Sequence, residues 1–271
     1  MSAPTNTAAL DSLRPGCLAD RVALVTGGGS GIGAATAALL ASLGATVAVT
    51  GRRADALQDT VNAIEKAGGA AMAVPCDVRE PEAVDAMLDA VLEAYGRIDI
   101  LVNNAGGQFV SPAESISHKG FRAVTRLNLD ATWYISTQVA SRSMLTNRYG
   151  KIISVTMTPR RGIPGMSHSS AARAGVESLT QTWAMEWSGR GIRTTAVAPG
   201  IVHTQAWGRY GLDPEHTAKM VPLQRLQAAD EVAAVIAFLA SPAGDYITGQ
   251  VIVADGGLDI SGPGNIVADH S

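Results

Sequence analysis

The stretch Thr26-Gly27-Gly28-Gly29-Ser30-Gly31-Ile32-Gly33 constrains this chain more than any other. It follows the apolar run Val22-Ala23-Leu24-Val25, which reads as a buried strand. An Ala/Leu-rich segment from Ala34 to Leu43 follows without a breaker and reads as a helix. Strand, glycine turn and helix start therefore come in sequence. Such a turn lets the backbone swing sharply and approach a pyrophosphate, which the free N–H groups and positive dipole end of the helix then hold. Gly27, Ser30, Gly31, Ile32 and Gly33 are the expected contacts. The spacing Gly27, Gly31, Gly33 departs from the commonest Gly-x-Gly-x-x-Gly fingerprint, so the strand-turn-helix context carries the reading.

Composition sets the outer bounds. With 271 residues, 46% of them hydrophobic, 17% charged and a net charge of −3, the chain is expected to be soluble, with one α/β domain and a large core. Its basic residues are scattered and form no stripe for nucleic acid. Two cysteines, Cys17 and Cys76, are too few for a disulfide framework, and no His or Cys pair has metal-ligand spacing. Met1 to Leu10 has no basic region followed by an apolar core, and no apolar run reaches the roughly 20 residues of a membrane span. A cytoplasmic protein is expected, without metal, nucleic-acid or membrane partners. The ending Ala268-Asp269-His270-Ser271 carries no peroxisomal signal.

Residues 1–20 read as a loose arm, and the first strand begins near Arg21. Ala45 to Thr50 is a β-branched run and a second strand, followed by Gly51-Arg52-Arg53. An acid at this strand end would accept from the adenosine ribose hydroxyl of NAD, whereas arginine pairs with the 2′-phosphate of NADP. Arg52 and Arg53 therefore point to NADPH/NADP as the cofactor. Asp55 to Ala67 carries Leu57, Val61 and Ile64 on one face and reads as a helix ended by Gly68-Gly69. A third strand spans Ala71 to Pro75. Asp77, beside Val78 at a strand's carboxyl edge, is read either as a contact to the adenine amino group or as a cap for the helix starting at Pro81.

Glu82 to Tyr95 is a further helix, and Ile98 to Val102 a strand that runs into Asn103-Asn104-Ala105-Gly106-Gly107. Asn103 is expected to fasten neighbouring strands, while Asn104, Ala105 and Gly106 leave room for the cofactor. The alternation of strands and helices predicts right-handed crossovers and a doubly wound, Rossmann-type α/β parallel sheet in a single domain, residues 21–260. In the second half, strands are expected at Ile152 to Val155, Thr194 to Ala198 and Val251 to Val253, with helices at Ser170 to Gly189 and Glu231 to Leu239. The irregular segment 203–221, with Trp207, Tyr210, Gly211, Pro214 and Met220, reads as a substrate lid or as packed surface helices. Residues 261–271 form a Gly/Pro-rich tail suited to a subunit interface.

Taken together, Thr26-Gly-x-x-x-Gly-x-Gly, Asn103-Asn-Ala-Gly, Pro199-Gly200 with Thr204 after it, and Asp255-Gly256-Gly257 resemble the short-chain dehydrogenase/reductase family from about Leu18 to Leu258. The resemblance implies a sheet of about seven strands, a nicotinamide cofactor, assembly as a homotetramer, and contacts from Pro199, Gly200, Ile201 and Thr204 to the carboxamide. It also implies proton chemistry by a Tyr-x-x-x-Lys pair with an upstream Ser and an Asn. Asn128 fits that asparagine. Counting back from Ala174-Gly175-Val176, however, Ser169 stands at the tyrosine position, Arg173 at the lysine position and Thr156 at the serine position.

That exchange changes the chemistry. A tyrosine beside a lysine ammonium has its pKa drawn down from about 10 and can deliver a proton, whereas serine is a far poorer acid. Ser169 suits hydrogen bonding to an oxyanion, and the permanently charged Arg173 suits clamping ribose hydroxyls. Reduction of an enoyl thioester needs those properties: hydride adds at the β-carbon, and negative charge collects on the thioester oxygen. Thr156, Ser169 and a water held by Asn128 are the expected donors. The text around Asn103–Glu114 and His168–Val176 also resembles peroxisomal-type trans-2-enoyl-CoA reductases and, more distantly, 2,4-dienoyl-CoA reductases. Ser-x-x-x-Arg occurs in citronellol-type dehydrogenases too, so an alcohol or carbonyl oxidoreductase is an alternative. A cofactor-binding protein with a decayed catalytic centre is another. Tyr134, on a helix expected to begin near Asn128, is read as packing or as a replacement acid, and His168 as structural or as a proton donor.

If Arg52 selects the 2′-phosphate, Arg52→Asp shifts preference from NADPH to NADH. Equal binding of both cofactors by the unaltered protein, measured by titration, would contradict the arginine reading.

Overall fold

The computed structural model describes residues 15–203 and 213–261. Its strands are β1 (Val22–Thr26), β2 (Thr46–Gly51), β3 (Ala70–Pro75), β4 (Ile100–Asn103), β5 (Gly150–Val155), β6 (Ile192–Pro199) and β7 (Val251–Ala254). They form one sheet in the order β3-β2-β1-β4-β5-β6-β7, with every neighbouring pair parallel. Parallel neighbours cannot be joined by a hairpin, so each connection crosses a face of the sheet. The order reverses between β1 and β4, which opens a crevice at the carboxyl ends of those strands. The glycine turn lies there.

Helices cover both faces. α1 (Gly31–Ser42), α2 (Ala54–Lys66) and α8 (Ala229–Ala240) pack on one side, where Leu40, Val61 and Ile236 meet Val25 and Val102 of the sheet. On the other, α3 (Pro81–Tyr95), α5 (Ala131–Val139) and α6 (Ser167–Trp187) bring Leu88, Ile135 and Trp183 against Leu24 and Leu101. Alternate residues of each strand therefore feed opposite cores, and β1 is buried throughout. Each fully buried side chain of this size contributes about 1.5–3 kcal/mol. α4 (His118–Thr125) and α7 (Pro214–Ala218) complete the labelled helices.

Two expectations need correcting. The arm read as loose to Asp20 is docked at its described end: Leu18 is buried in the first core and its N–H donates to Leu43 O at 3.0 Å. Asn128, expected near a helix start, lies instead within a π turn, Arg126–Asp130, between α4 and α5. α4 itself escaped the sequence reading because Val124 is its only buried residue and leaves no apolar period. Ser117 caps it, its hydroxyl accepting from Gly120 N at 3.1 Å. Trp207, Tyr210 and Gly211 of the expected lid lie outside the described residues, as do residues 262–271 of the expected tail.

Charges gather at the opposite edge of the sheet. The Asp99 carboxylate is buried, accepts from Val22 N at 3.0 Å, and pairs with Arg97 and Arg21. Arg21 in turn lies over the Tyr149 ring, 3.8 Å from its centroid. Removing the carboxylate strands a buried N–H, so Asp99→Ala is expected to lower unfolding free energy by about 1–3 kcal/mol. Urea denaturation measures it, and an unchanged midpoint would remove Asp99 from the account.

Candidate active site

At the crevice, Gly27 and Gly31 adopt left-handed φ of 66° and 52°, and a Cβ on Gly33 would fall 2.2 Å from Gly27 O. Ser30 caps α1 in extended conformation without a side-chain bond, so the first N–H groups of the helix remain open to a ligand. The turn is strapped to the end of β4. Thr26 Oγ1 accepts from Asn104 N at 3.0 Å and Ala105 N at 2.9 Å, while Asn104 Nδ2 donates to Thr26 O at 2.9 Å. Asn103 reaches the other way, its Nδ2 donating to Ser136 Oγ on α5 at 2.8 Å and more weakly to Ser154 Oγ on β5 at 3.4 Å.

A cavity of about 620 Å³ opens beside these groups. Its lining includes Gly27, Ser30, Gly31, Ile32, Arg52, Arg53, Asp77, Val78, Asn104, Ala105 and Gly106, which the sequence had separated by nearly 80 positions. Gly33 stands outside that lining, where its bare backbone permits the close approach of Gly27. A glycine cradle, an open helix end and exposed arginines suit the phosphates of a dinucleotide.

Asp77 is not the cap of α3, because the residue before that helix is Glu80; it lines the cavity, and its carboxylate accepts from Arg79 Nε at 2.9 Å and Nη2 at 2.5 Å. The Arg79 hydrogen bonds, helped by the field of Arg52, hold the Asp77 carboxyl down at about 2, so it is ionised at neutral pH. Arg79, which the sequence reading passed over, thus adds a third arginine to the cavity wall. Cys76 also lines it; burial pushes its thiol up to about 11 and leaves it protonated.

Three consecutive loop residues gather the candidate catalytic groups. Gly106 lies against Arg173, because a Cβ there would sit 2.3 Å from Arg173 Nη2. Gly107 is held by Asn128, whose Oδ1 accepts from Gly107 N and whose Nδ2 donates to Gly107 O, both at 3.0 Å. Gln108 Oε1 accepts from Ser169 Oγ at 2.8 Å. Asn128 and Ser169 are fully buried. The Asn128 side chain is committed to this loop: burial requires both ends of the amide to be satisfied, and the Gly107 backbone satisfies them. Gln108 was legible only as one polar letter in a loop.

Arg173 is 9% exposed, its Nη1 donates to Val155 O at 2.7 Å, and its Nε has no hydrogen-bond partner among the described residues. Burial alone lowers its pKa to about 10, which leaves it charged at neutral pH. Thr156 does not join this group. Its hydroxyl turns to Glu177 Oε1 at 3.2 Å and Val197 O at 3.4 Å, and the side chain that Ser169 Oγ meets across the strand end is that of Met157, at 3.4 Å.

The residues expected at the nicotinamide end are held separately. Gln227 secures the turn after β6, its Oε1 accepting from Gly200 N and its N–H donating to Ile201 O, both at 3.0 Å. Pro199 O accepts from Thr158 Oγ1 at 3.0 Å. Ile201 lines a second hollow of about 340 Å³ with Val221 and Leu223, and Thr204 lies outside the described residues. Tyr134 Oη donates to Asp85 Oδ2 at 2.9 Å on the helical surface, in keeping with the packing reading.

His168 is buried with its ring edge-on to Phe109, centroids 4.4 Å apart, and burial lowers its pKa from 6.5. The unfolded chain therefore takes up the proton first as pH falls, so this stability is present above pH ~6.5 and lost below it. Thermal melts at pH 7.5 and 5.5 are expected to show a larger acid-induced drop for the unaltered chain than for His168→Gln. Equal drops would contradict the neutral imidazole.

A family model described as Enoyl-(Acyl carrier protein) reductase matches residues 27–259. A probable 2,4-dienoyl-CoA reductase of Bacillus subtilis (strain 168) is 39% identical over 243 residues, covering 88% of this chain and 96% of its own. Among solved structures, a citronellol catabolism dehydrogenase of Pseudomonas aeruginosa PAO1 is 41% identical, with a TM-score of 0.83 and coverage of 91% and 98% of the two chains. An actinorhodin polyketide ketoreductase solved with NADPH is 30% identical, with a TM-score of 0.86 and coverage of 92% and 100%. No helix among the described residues is long and apolar enough to cross a membrane. With its seven-stranded sheet, its glycine turn and relatives of this identity and coverage, the chain belongs to the short-chain dehydrogenase/reductase family of oxidoreductases.

Proposed function

We propose that this oxidoreductase is an NADPH-dependent reductase of an activated carbon–carbon double bond, with a trans-2-enoyl thioester as substrate. The observation that carries the reading is the pairing of a buried serine hydroxyl, Ser169 on Gln108, with the buried guanidinium of Arg173 against the same loop. That set holds negative charge well and delivers a proton poorly. Arg52, Arg53 and Arg79 on one cavity wall support NADPH over NADH. The Bacillus subtilis relative, named for reducing a dienoyl-CoA and producing a (2E)-enoyl-CoA, supports reduction of an acyl-CoA double bond, and the ketoreductase solved with NADPH supports the cofactor.

When bound, NADPH supplies hydride for the substrate's β-carbon. Negative charge then gathers on the thioester oxygen, where Ser169 donates, until a proton from water reaches the α-carbon and completes the saturated product. With the Gln108 amide turned over, its Nε2 donates to Ser169 Oγ and frees the hydroxyl proton for that oxygen. Asn128 keeps the loop in place through Gly107, and Arg173 adds positive potential and binds ribose hydroxyls. Homotetrameric assembly, which rests on the family resemblance, and a cytoplasmic location belong to the same proposal.

A second reading, oxidation or reduction at an alcohol or carbonyl, is favoured by the 41% identity to the citronellol catabolism dehydrogenase. Loss of nicotinamide absorbance with a trans-2-enoyl-CoA, set beside a terpenoid aldehyde, separates the two. Turnover of the thioester alone supports the proposal, turnover of the aldehyde alone supports the second reading, and tight NADPH binding without turnover points to a decayed site. Ser169→Ala is expected to slow thioester reduction about 10²- to 10³-fold while NADPH still binds. Undiminished turnover would remove Ser169 from the mechanism.

A further inference from the structure

Arg173 and Glu177 stand four residues apart on α6, the spacing at which helical side chains share a face and opposite charges attract. Yet they are not paired. Glu177 Oε2 accepts from Arg160 Nε at 3.0 Å, and its Oε1 accepts from Thr156 Oγ1 at 3.2 Å. Arg173 instead lies against Gly106 with its Nε unpartnered among the described residues.

Arg160 is itself tied down. Its N–H donates to Asp259 Oδ1 at 2.6 Å, and Asp259 N donates to Asp255 Oδ2 at 2.6 Å. The neighbouring Arg161 donates to Asp259 O at 2.9 Å and to Ser261 O at 2.7 Å. The segment after β7 therefore fixes the loop that carries Arg160, and Arg160 occupies the carboxylate nearest in helical register to Arg173.

We infer that Arg160 is a positioning residue: by holding Glu177 it keeps that carboxylate off Arg173 and leaves the guanidinium charge for the oxygens of a bound ligand. The inference rests on the reading that Arg173 meets hydroxyls of NADPH. A neutral residue at position 160 releases Glu177, which turns one helical step back and neutralises Arg173. Thr156 alone, a neutral donor, holds a carboxylate less strongly than the charged Arg160 does.

The experiment measures NADPH affinity by quenching of tryptophan fluorescence in the full-length protein. Arg160→Gln is expected to weaken binding about tenfold, the scale of one hydrogen bond from a charged donor. Arg160→Lys, which keeps the cation, is expected to retain affinity. The double variant Arg160→Gln/Glu177→Gln is expected to bind as well as Glu177→Gln alone, because no carboxylate is left to swing. A double variant as weak as Arg160→Gln would show that Arg160 acts only by bracing its loop, and would overturn the inference. Arg173→Gln tests the underlying reading separately. Wild-type affinity in that variant defeats the Arg173 reading and the inference with it. Weak binding there, combined with wild-type affinity in Arg160→Gln, defeats the inference alone.

Discussion

The missing side chain at Gly106 is the constraint on which the candidate site depends. A Cβ at that position would fall 2.3 Å from Arg173 Nη2, so the bare backbone leaves the space in which the guanidinium lies beside the end of β4. A charge so placed loses hydration that one hydrogen bond to Val155 O does not replace, and its pKa falls accordingly. The adjoining residues complete the arrangement: Gly107 is clamped by Asn128 and Gln108 meets Ser169. One short loop thus sets the relation between π turn, strand end and helix.

The fold supplies the rigidity this needs. Thr26 and Asn104 bind the ends of β1 and β4 together at the point where the strand order reverses, and Asn103 ties β4 to β5 and α5. The Thr26 hydroxyl and the Asn104 amide, placed among strand ends, are stabilised by the partners they find there. The same knot that closes the glycine turn therefore fixes the start of the loop that meets Asn128, Ser169 and Arg173. Charged pairs such as Asp99 with Arg97, and Lys151 with Asp245, lie at the opposite edge, where they brace the sheet.

Much of this was legible in the sequence because it is local. The glycine turn, the arginines after β2 and the apolar face of α2 are patterns within a few residues, and Leu57, Val61 and Ile64 are buried as their spacing requires. Ser169 and Arg173 could be found by counting along one helix. What escaped depends on contacts distant in sequence. α4 has a single buried side chain, so no period announces it. Gln108 and Arg79 acquire meaning only from Ser169 and Asp77, and the direction of the Thr156 hydroxyl was set by Glu177, twenty-one residues on. Local chemistry marks which groups are available; the crossing of distant segments decides which of them meet.

A serine and an arginine, in place of a tyrosine and a lysine, are proposed to direct this family member towards double bonds. The most direct measurement follows the label from NADPH deuterated at the transferred position, with a trans-2-enoyl-CoA as substrate and NMR of the product. Deuterium at the β-carbon of an intact saturated thioester is the predicted result. Deuterium on a carbinol carbon, with the double bond retained, would contradict the claim.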